Sequence, residues 1–129
     1  FAVAICDDFA SAWYNRGNAL ANLGRPEDAV ESYLKVLEYE DGDAATFYNL
    51  GLALLRVRDY PAAVTALERA VALAPEEHSF LISLGTAYVA ASQPARARAT
   101  FEQFVETAPD HPEAPRVKAL LQAMAEASQ

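Results

Sequence analysis

Apolar residues in the middle of the chain recur at steps of three, four and seven positions, with small and polar residues between them. Phe47, Leu50, Leu54 and Leu55 form one such stripe, and Gly51 lies within it. Residues at these steps share one face of an α-helix. The pattern therefore predicts a helix that buries this face against another element.

A second apolar stripe follows the first after a short polar break. Asp59 stands before Tyr60-Pro61, and an aspartate followed by a proline in the first turn is typical of a helix start. Pro75 pushes Ala74 out of the helical conformation, so the second helix is expected to end there. Two helices joined by so short a connection must run antiparallel.

The same pair of stripes is present three times, with a step of 34 residues. Glycine occupies one column of this repeat, at Gly17, Gly51 and Gly85. Alanine occupies a second column, at Ala29, Ala63 and Ala97. The break between the two helices falls at Gly24, at Arg58-Asp59 and at Ser92-Gln93. The periodicity predicts three complete repeats, at 10–43, 44–77 and 78–111.

The glycine column needs a reason, because glycine inside a helix costs about 1 kcal/mol relative to alanine. We expect Gly17 and Ala29 to lie where the two backbones of the pair approach most closely. Larger residues, namely Trp13, Leu20 and Tyr33, would then fill the space on either side.

These columns resemble the tetratricopeptide repeat, which has a period of 34 residues and the pattern W-x2-L-G-x2-Y…A-x3-F…P. The third copy matches it at Leu84-Gly85, Ala97 and Phe101, whereas Arg16 replaces the leucine in the first copy. The resemblance covers residues 10–111. It implies an all-α fold, a right-handed α-solenoid of antiparallel helix pairs.

The two ends of the chain lie outside the complete repeats. Residues 1–9 align with the end of a second helix, and we interpret them as the remainder of a preceding repeat. Its apolar residues Phe1, Val3 and Ile5 would lack a partner helix, which predicts self-association through this end. Residues 112–129 are predicted to form a C-terminal capping helix. Its apolar face would consist of Val117, Leu120, Leu121 and Met124.

The resemblance implies a binding surface on the concave side of the solenoid, lined by the first helix of each pair. In this family the surface holds an extended peptide or a helix of another protein. Asparagine amides there can pair with both N–H and C=O of a peptide, and tyrosine, leucine and isoleucine offer apolar contacts. Each position could instead be an ordinary surface residue, or pack between helices as Leu55 could. The predicted groove residues are Tyr14, Asn15, Asn18, Asn22, Tyr48, Asn49, Leu52, Leu55, Arg56, Ile82, Ser83 and Thr86.

Charge is distributed unevenly along the repeats. The net charge is −8, yet no aspartate or glutamate falls within the first-helix segments 10–23, 44–57 and 78–91. We therefore expect a near-neutral groove with Arg56 as its cation and acidic residues on the second helices. Some family members clamp a partner's C-terminal carboxylate. Asn18 and Asn49 stand at two positions of that clamp, but Tyr14, Ser79 and Ser83 replace its cations, which excludes it here.

Other kinds of site find no support in the sequence. Cys6 is the single cysteine, so neither an internal disulfide nor a multi-cysteine zinc site is expected. His78 and His111 lie near repeat boundaries without a nucleophile pattern, and we predict no catalytic residue, cofactor or metal site. The acidic balance disfavours nucleic acid. No apolar stretch reaches the roughly 18 residues that span a bilayer.

Two functions remain open. The first is a protein-protein interaction scaffold that binds a protein or peptide ligand in the groove. The second is a structural segment that positions the parts of a larger enzyme or of a secretion or assembly protein.

Overall fold

The computed structural model describes residues 2–39 and 41–127, with side chains from Phe9 onward. This part of the chain contains seven α-helices and no strand, which confirms the predicted all-α class. The helices are α1 (Ala2–Asn22), α2 (Pro26–Tyr39), α3 (Ala44–Arg56), α4 (Tyr60–Leu73), α5 (Ser79–Ala90), α6 (Pro94–Thr107) and α7 (Ala114–Ala127).

The helices pack as consecutive antiparallel pairs. The most extensive contacts join α1 to α2, α3 to α4 and α5 to α6, and each pair also contacts the next. The first helices of neighbouring pairs touch directly, α1 against α3 and α3 against α5. The result is the predicted solenoid, with first helices along one side and second helices along the other.

The turn inside each repeat has the same left-handed backbone in all three copies. Gly24, Arg58 and Ser92 have φ values of 78°, 67° and 60°. The residue after each donates its N–H to a carbonyl five positions earlier, which is the Schellman ending of a helix. These bonds run from Arg25 to Leu20, from Asp59 to Leu54 and from Gln93 to Tyr88, at 2.9, 3.0 and 2.8 Å.

The predicted limits of α4 are confirmed. The carboxylate of Asp59 caps the helix by accepting the N–H of Ala62 at 3.4 Å, and Pro61 lies in the first turn. The helix ends at Leu73, and Ala74 before the proline has left the helical conformation.

The glycine column makes room for a large side chain of the second helix. A Cβ at Gly17 would lie 2.7 Å from Cε1 of Tyr33, and one at Gly51 would lie 2.6 Å from Cγ of Leu67. A Cβ at Gly85 would lie 2.7 Å from Cζ of Phe101. The bulky side chain one turn after the alanine therefore occupies the space beside the glycine, as expected for Tyr33. The closest backbone approach at the alanine column stays a prediction.

The chain before residue 10 also differs from the expectation. Residues 2–22 form one continuous helix, so there is no separate second helix of a preceding repeat within this stretch. Residues 2–9 contain neither proline nor glycine, and Asp7 stands where Pro75 ends α4. Phe1 and the side chains of Val3 and Ile5 lie outside the described residues, and self-association through them stays a prediction.

The C-terminal helix α7 covers the last repeat, as predicted. Val117 is fully buried, and Leu121 and Met124 pack against the core cluster around Phe104. Leu120 is 37% exposed, so its predicted place on the buried face was wrong. Ala114, at the start of the helix, takes that place because it lies three residues before Val117, on the same face.

Candidate peptide-binding groove

The first helices α1 and α3 enclose a cavity of about 470 Å³, and we call this surface the first-helix groove. The second helix α2 also contributes to this cavity, through the ring of Tyr33. Its lining residues are Asn18, Ala21, Asn22, Tyr33, Asn49, Leu52, Ala53 and Arg56. Five of these eight are among the residues predicted from the sequence.

A smaller cavity of about 280 Å³ continues the groove toward residues 10–15 of α1. Tyr14 and Asn15, both predicted, line it beside Asp43. The carboxylate of Asp43 accepts hydrogen bonds from the backbone N–H and the hydroxyl of Thr46, at 2.8 and 2.9 Å. The groove therefore contains a carboxylate at this end, but one that is engaged in capping α3.

A hydrogen-bond network ties the groove walls together. The hydroxyl of Tyr33 donates to Oδ1 of Asn18 at 2.6 Å. Nδ2 of Asn49 donates to the hydroxyl of Tyr14 at 2.9 Å and to the same Oδ1 of Asn18 at 3.4 Å. The network joins α1, α2 and α3, so these amides are held in fixed orientations.

Each asparagine of this network keeps one half of its amide available. Among the described residues, nothing accepts a hydrogen bond from Nδ2 of Asn18 and nothing donates to Oδ1 of Asn49. One free donor and one free acceptor thus lie on neighbouring helices. A peptide backbone presents the complementary pair, an acceptor and a donor on each residue.

Tyr33 belongs to the network, although the sequence pattern predicted it as a packing residue and not as a groove residue. It lies on the second helix, and its ring reaches the groove because Gly17 has no side chain. Burial first, and then the neighbouring Tyr14, raise the pKa of Tyr33, so its hydroxyl stays protonated and can donate. The sequence contained a signal for this role: Tyr33 stands in a column that holds the apolar residues Leu67 and Phe101 in the other copies. A tyrosine buried at such a position needs a hydrogen-bond partner for its hydroxyl.

Arg56 lies at the other end of the groove from Asp43. Its Nη1 donates to the backbone carbonyl of Ala21 at 2.9 Å, near the C-terminus of α1. A cation is favourable there because the last carbonyls of a helix carry partial negative charge. The guanidinium is exposed and retains further N–H donors for a ligand.

The remaining predicted residues do not line either cavity, and the apolar ones among them pack against the core. The ring of Tyr48 stacks on Phe80 with 4.3 Å between centroids, and Leu55 contacts two core clusters. Ile82 is only 9% exposed, so its assignment to the open groove was wrong. It faces the core because the apolar stripe of α5 is wider than those of α1 and α3.

The two polar members of that set bond within or between helices. The hydroxyl of Ser83 donates to that of Tyr48 at 3.3 Å, and that of Thr86 donates to the carbonyl of Ile82 at 2.9 Å. The groove is therefore best formed between α1 and α3. Among the described residues, no group of three or more histidine, cysteine or acidic side chains could hold a metal ion. No described helix is long and apolar enough to cross a bilayer.

Curated proteins similar to this chain include much longer ones. The protein O-mannosyl-transferase TMTC3 of Mus musculus is 33% identical over 58 residues, which is 45% of this chain and 6% of that protein. The peroxisomal targeting signal receptor of Candida albicans is 35% identical over 66 residues, which is 51% of this chain and 11% of the receptor. The chain thus spans a small fraction of the length of these relatives.

Solved structures share the fold along most of the chain. The Yersinia enterocolitica type III secretion translocator chaperone SycD superposes with a TM-score of 0.82 at 19% identity, covering 95% of this chain and 96% of that one. The second TPR domain of human RPAP3, solved with an HSP70 peptide, gives 0.80 at 22% identity, covering 93% and 98%.

Sequence models of one family match nearly the whole of the repeat region. One model of the tetratricopeptide repeat matches residues 48–112 and 82–129, and a second matches residues 10–43. The matched segments include all three predicted repeats apart from residues 44–47 at the start of the second, and they extend over α7. The chain belongs to the tetratricopeptide repeat family.

Proposed function

We propose that this chain is a protein-interaction scaffold that holds a peptide or a helix of another protein in the first-helix groove. The observation that carries the proposal is the fixed pair of half-engaged amides, Asn18 and Asn49, above a cavity of about 470 Å³. The free donor and the free acceptor suit one residue of a ligand backbone. Leu52 and Ala53 beside them offer apolar contact.

The charge of the groove indicates the class of ligand. Arg56 is the cation among the residues that line the two cavities, and Asp43 is occupied as a helix cap. A neutral or mildly acidic ligand with apolar side chains fits this surface better than a strongly charged one. An orienting interaction with Arg56 would then favour a carboxylate at one end of the bound segment.

The relatives support peptide binding without identifying the ligand. The RPAP3 domain of the same fold is described in complex with an HSP70 peptide. Tyr14, Ser79 and Ser83 stand at the cation positions of the carboxylate clamp, so we do not propose a chaperone C-terminus as the ligand.

The test is a peptide selected from a random displayed library on the purified chain, followed by titration of that peptide. Asn49→Ala removes the free acceptor and should weaken binding by about 1–2 kcal/mol if the amide is an anchor. Gln103→Ala is the matched control, because it removes an exposed side-chain amide from α6 on the opposite side. Thermal melts establish that both variants fold. Equal affinity of Asn49→Ala and the parent chain would reject the groove as the binding surface.

The alternative is a segment that positions the parts of a longer protein. The observation that favours it is the small share of each curated relative that this chain spans, one of them a transferase by name. In this alternative the role proposed for the chain is to position other parts of the protein. Binding of the selected peptide by these repeats within a longer protein would favour the scaffold, and loss of that binding there would favour the positioning segment.

A further inference from the structure

A second groove lies on the other side of the solenoid, between the second helices α2 and α4. Its cavity has a volume of about 800 Å³. We call it the second-helix groove, and α3 lies between its two walls. The apolar residues that define it are Val30, Leu34, Leu50, Leu54, Ala62 and Ala66.

This groove is not a general property of the repeat. At the equivalent place between α4 and α6, 34 residues further on, Glu68 replaces Leu34 and Tyr88 replaces Leu54. The hydroxyl of Tyr88 donates to the carboxylate of Glu68 at 2.6 Å, and only 7% of Tyr88 is exposed. A hydrogen-bonded phenol and carboxylate thus stand where Leu34 and Leu54 give the second-helix groove an apolar lining. Leu34 is 49% exposed at its edge.

The border of the second-helix groove is acidic. A cavity of about 320 Å³ adjoins it, shares Val30 and Leu34, and places glutamates along α2. The two cavities together are lined by five carboxylates and two cations. The acidic residues are Glu27, Glu31, Glu38, Asp59 and Glu68, and the cations are Lys35 and Arg69.

The two cations do not neutralise this border. Lys35 lies 3.3 Å from Glu38, and the guanidinium of Arg69 lies over the ring of Phe47 at 5.9 Å. Glu27 and Glu31 have no ion pair with any residue that the structure describes. An apolar trough with unpaired carboxylates on its edge is complementary to an apolar stripe flanked by lysine or arginine.

We propose that the second-helix groove binds a basic amphipathic helix of another protein. Apolar side chains at steps of three and four residues enter between Leu34 and Leu54, and flanking cations pair with Glu27 and Glu31. A second copy of this chain fits poorly because its net charge of −8 brings two acidic surfaces together. The surface is separate from the first-helix groove and does not depend on it.

The probe is a synthetic peptide of about 18 residues with leucine at helical spacing and lysine elsewhere. The double variant Leu34→Glu/Leu54→Tyr rebuilds the pair found in the next repeat and should fill the groove. We expect saturable one-to-one binding by the parent chain and a loss of about tenfold or more in the variant. Leu34→Glu alone changes an exposed side chain and provides a second, milder test.

Leu73→Glu is the matched control, because Leu73 is 44% exposed on α4 and does not line the groove. It should bind the probe like the parent, as should Asn49→Ala from the first-helix groove. A scrambled probe of equal composition should bind at least about tenfold more weakly. The proposal is overturned if the groove variants bind normally, if Leu73→Glu loses as much affinity, or if the scrambled probe binds equally. A dimer of the parent that Leu34→Glu dissolves would assign the groove to a second copy and overturn it as well.

Discussion

At the scale of single residues, one side chain decides how closely each helix pair can approach. The second helix inserts Tyr33, Leu67 or Phe101 against the first, and the facing glycine has no atom in the way. Helix propensity is lost at the glycine, and packing of a large buried side chain compensates for it. The first copy uses the same contact to bring a hydroxyl through to Asn18.

This contact predicts that the effect of one substitution on stability changes sign when the opposing side chain is removed. Gly51→Ala should destabilise the chain by about 1–3 kcal/mol, because its Cβ would overlap Leu67. In a Leu67→Ala background the same change should stabilise by up to about 1 kcal/mol, since only the helix propensity remains. Denaturant unfolding of the four proteins of this cycle measures both values. Additive effects would contradict the proposed contact.

Tyr88 predicts a pH dependence in the alkaline range. Burial, and then the hydrogen bond and charge of Glu68, raise its pKa from 10.0 to about 12. The folded state therefore holds this proton more tightly than the unfolded state. Its contribution to stability is complete below about pH 10 and is lost as the pH rises through about 12.

Tyr88→Phe should abolish this part of the alkaline loss, and it should remove a late step from the ultraviolet titration of the six tyrosines. Tyr39→Phe, which removes the hydroxyl of an exposed ring, is the matched control for the unfolding measurements. An unchanged late step in Tyr88→Phe would show that another tyrosine is responsible.

At the scale of elements, the sequence predicted most of the helices, because apolar spacing, Asp59, Pro61 and Pro75 each act locally. It did not predict that α1 begins at Ala2. The alignment of repeat columns shows which positions correspond, but it does not show whether the helix is interrupted between residues 9 and 10. It placed Ile82 in the groove, because one apolar stripe cannot show which neighbours surround it. The place of Tyr33 in the groove and the second-helix groove each arise from the packing of three helices, which the apolar spacing along the sequence does not show.

The left-handed turns give a prediction at this scale. Arg58 adopts a φ of 67° that costs a residue with a side chain about 1 kcal/mol or more. Arg58→Gly should therefore raise the free energy of unfolding by about 0.5–1 kcal/mol, after allowing for the greater freedom of glycine in the unfolded chain.

Gly24→Ala is the reverse experiment at the equivalent turn. A Cβ there meets no atom within 4 Å, so only the backbone conformation is tested. A loss of about 1–2 kcal/mol is expected from denaturant unfolding. No loss in Gly24→Ala, or a loss in Arg58→Gly, would contradict the Schellman assignment.

At the scale of the whole molecule, charge separates the two sides of the solenoid. The acidic residues that line the second-helix groove and its border lie along α2, at the N-cap of α4 (Asp59) and within α4 (Glu68). The first-helix groove has Arg56 at one end and Asp43, which caps α3, at the other. The two proposed surfaces therefore call for ligands of different charge, and each can fail without the other.

Salt should distinguish the two surfaces. Raising the ionic strength to a physiological level should change the affinity of the library-selected peptide by less than about twofold. The same change should weaken the leucine-lysine probe several-fold, because its binding depends on charge complementarity. Titrations of both peptides at two salt concentrations provide the comparison. A stronger salt effect on the library-selected peptide would contradict the near-neutral description of the first-helix groove.

The most direct measurement of the central claim is amide chemical-shift mapping of the labelled chain with the library-selected peptide. The account predicts that the largest changes, including the side-chain amides of Asn18 and Asn49, cluster on α1 and α3 around Leu52 and Arg56. Binding that is saturable but shifts only residues of α2 and α4, or of α6 and α7, would contradict it.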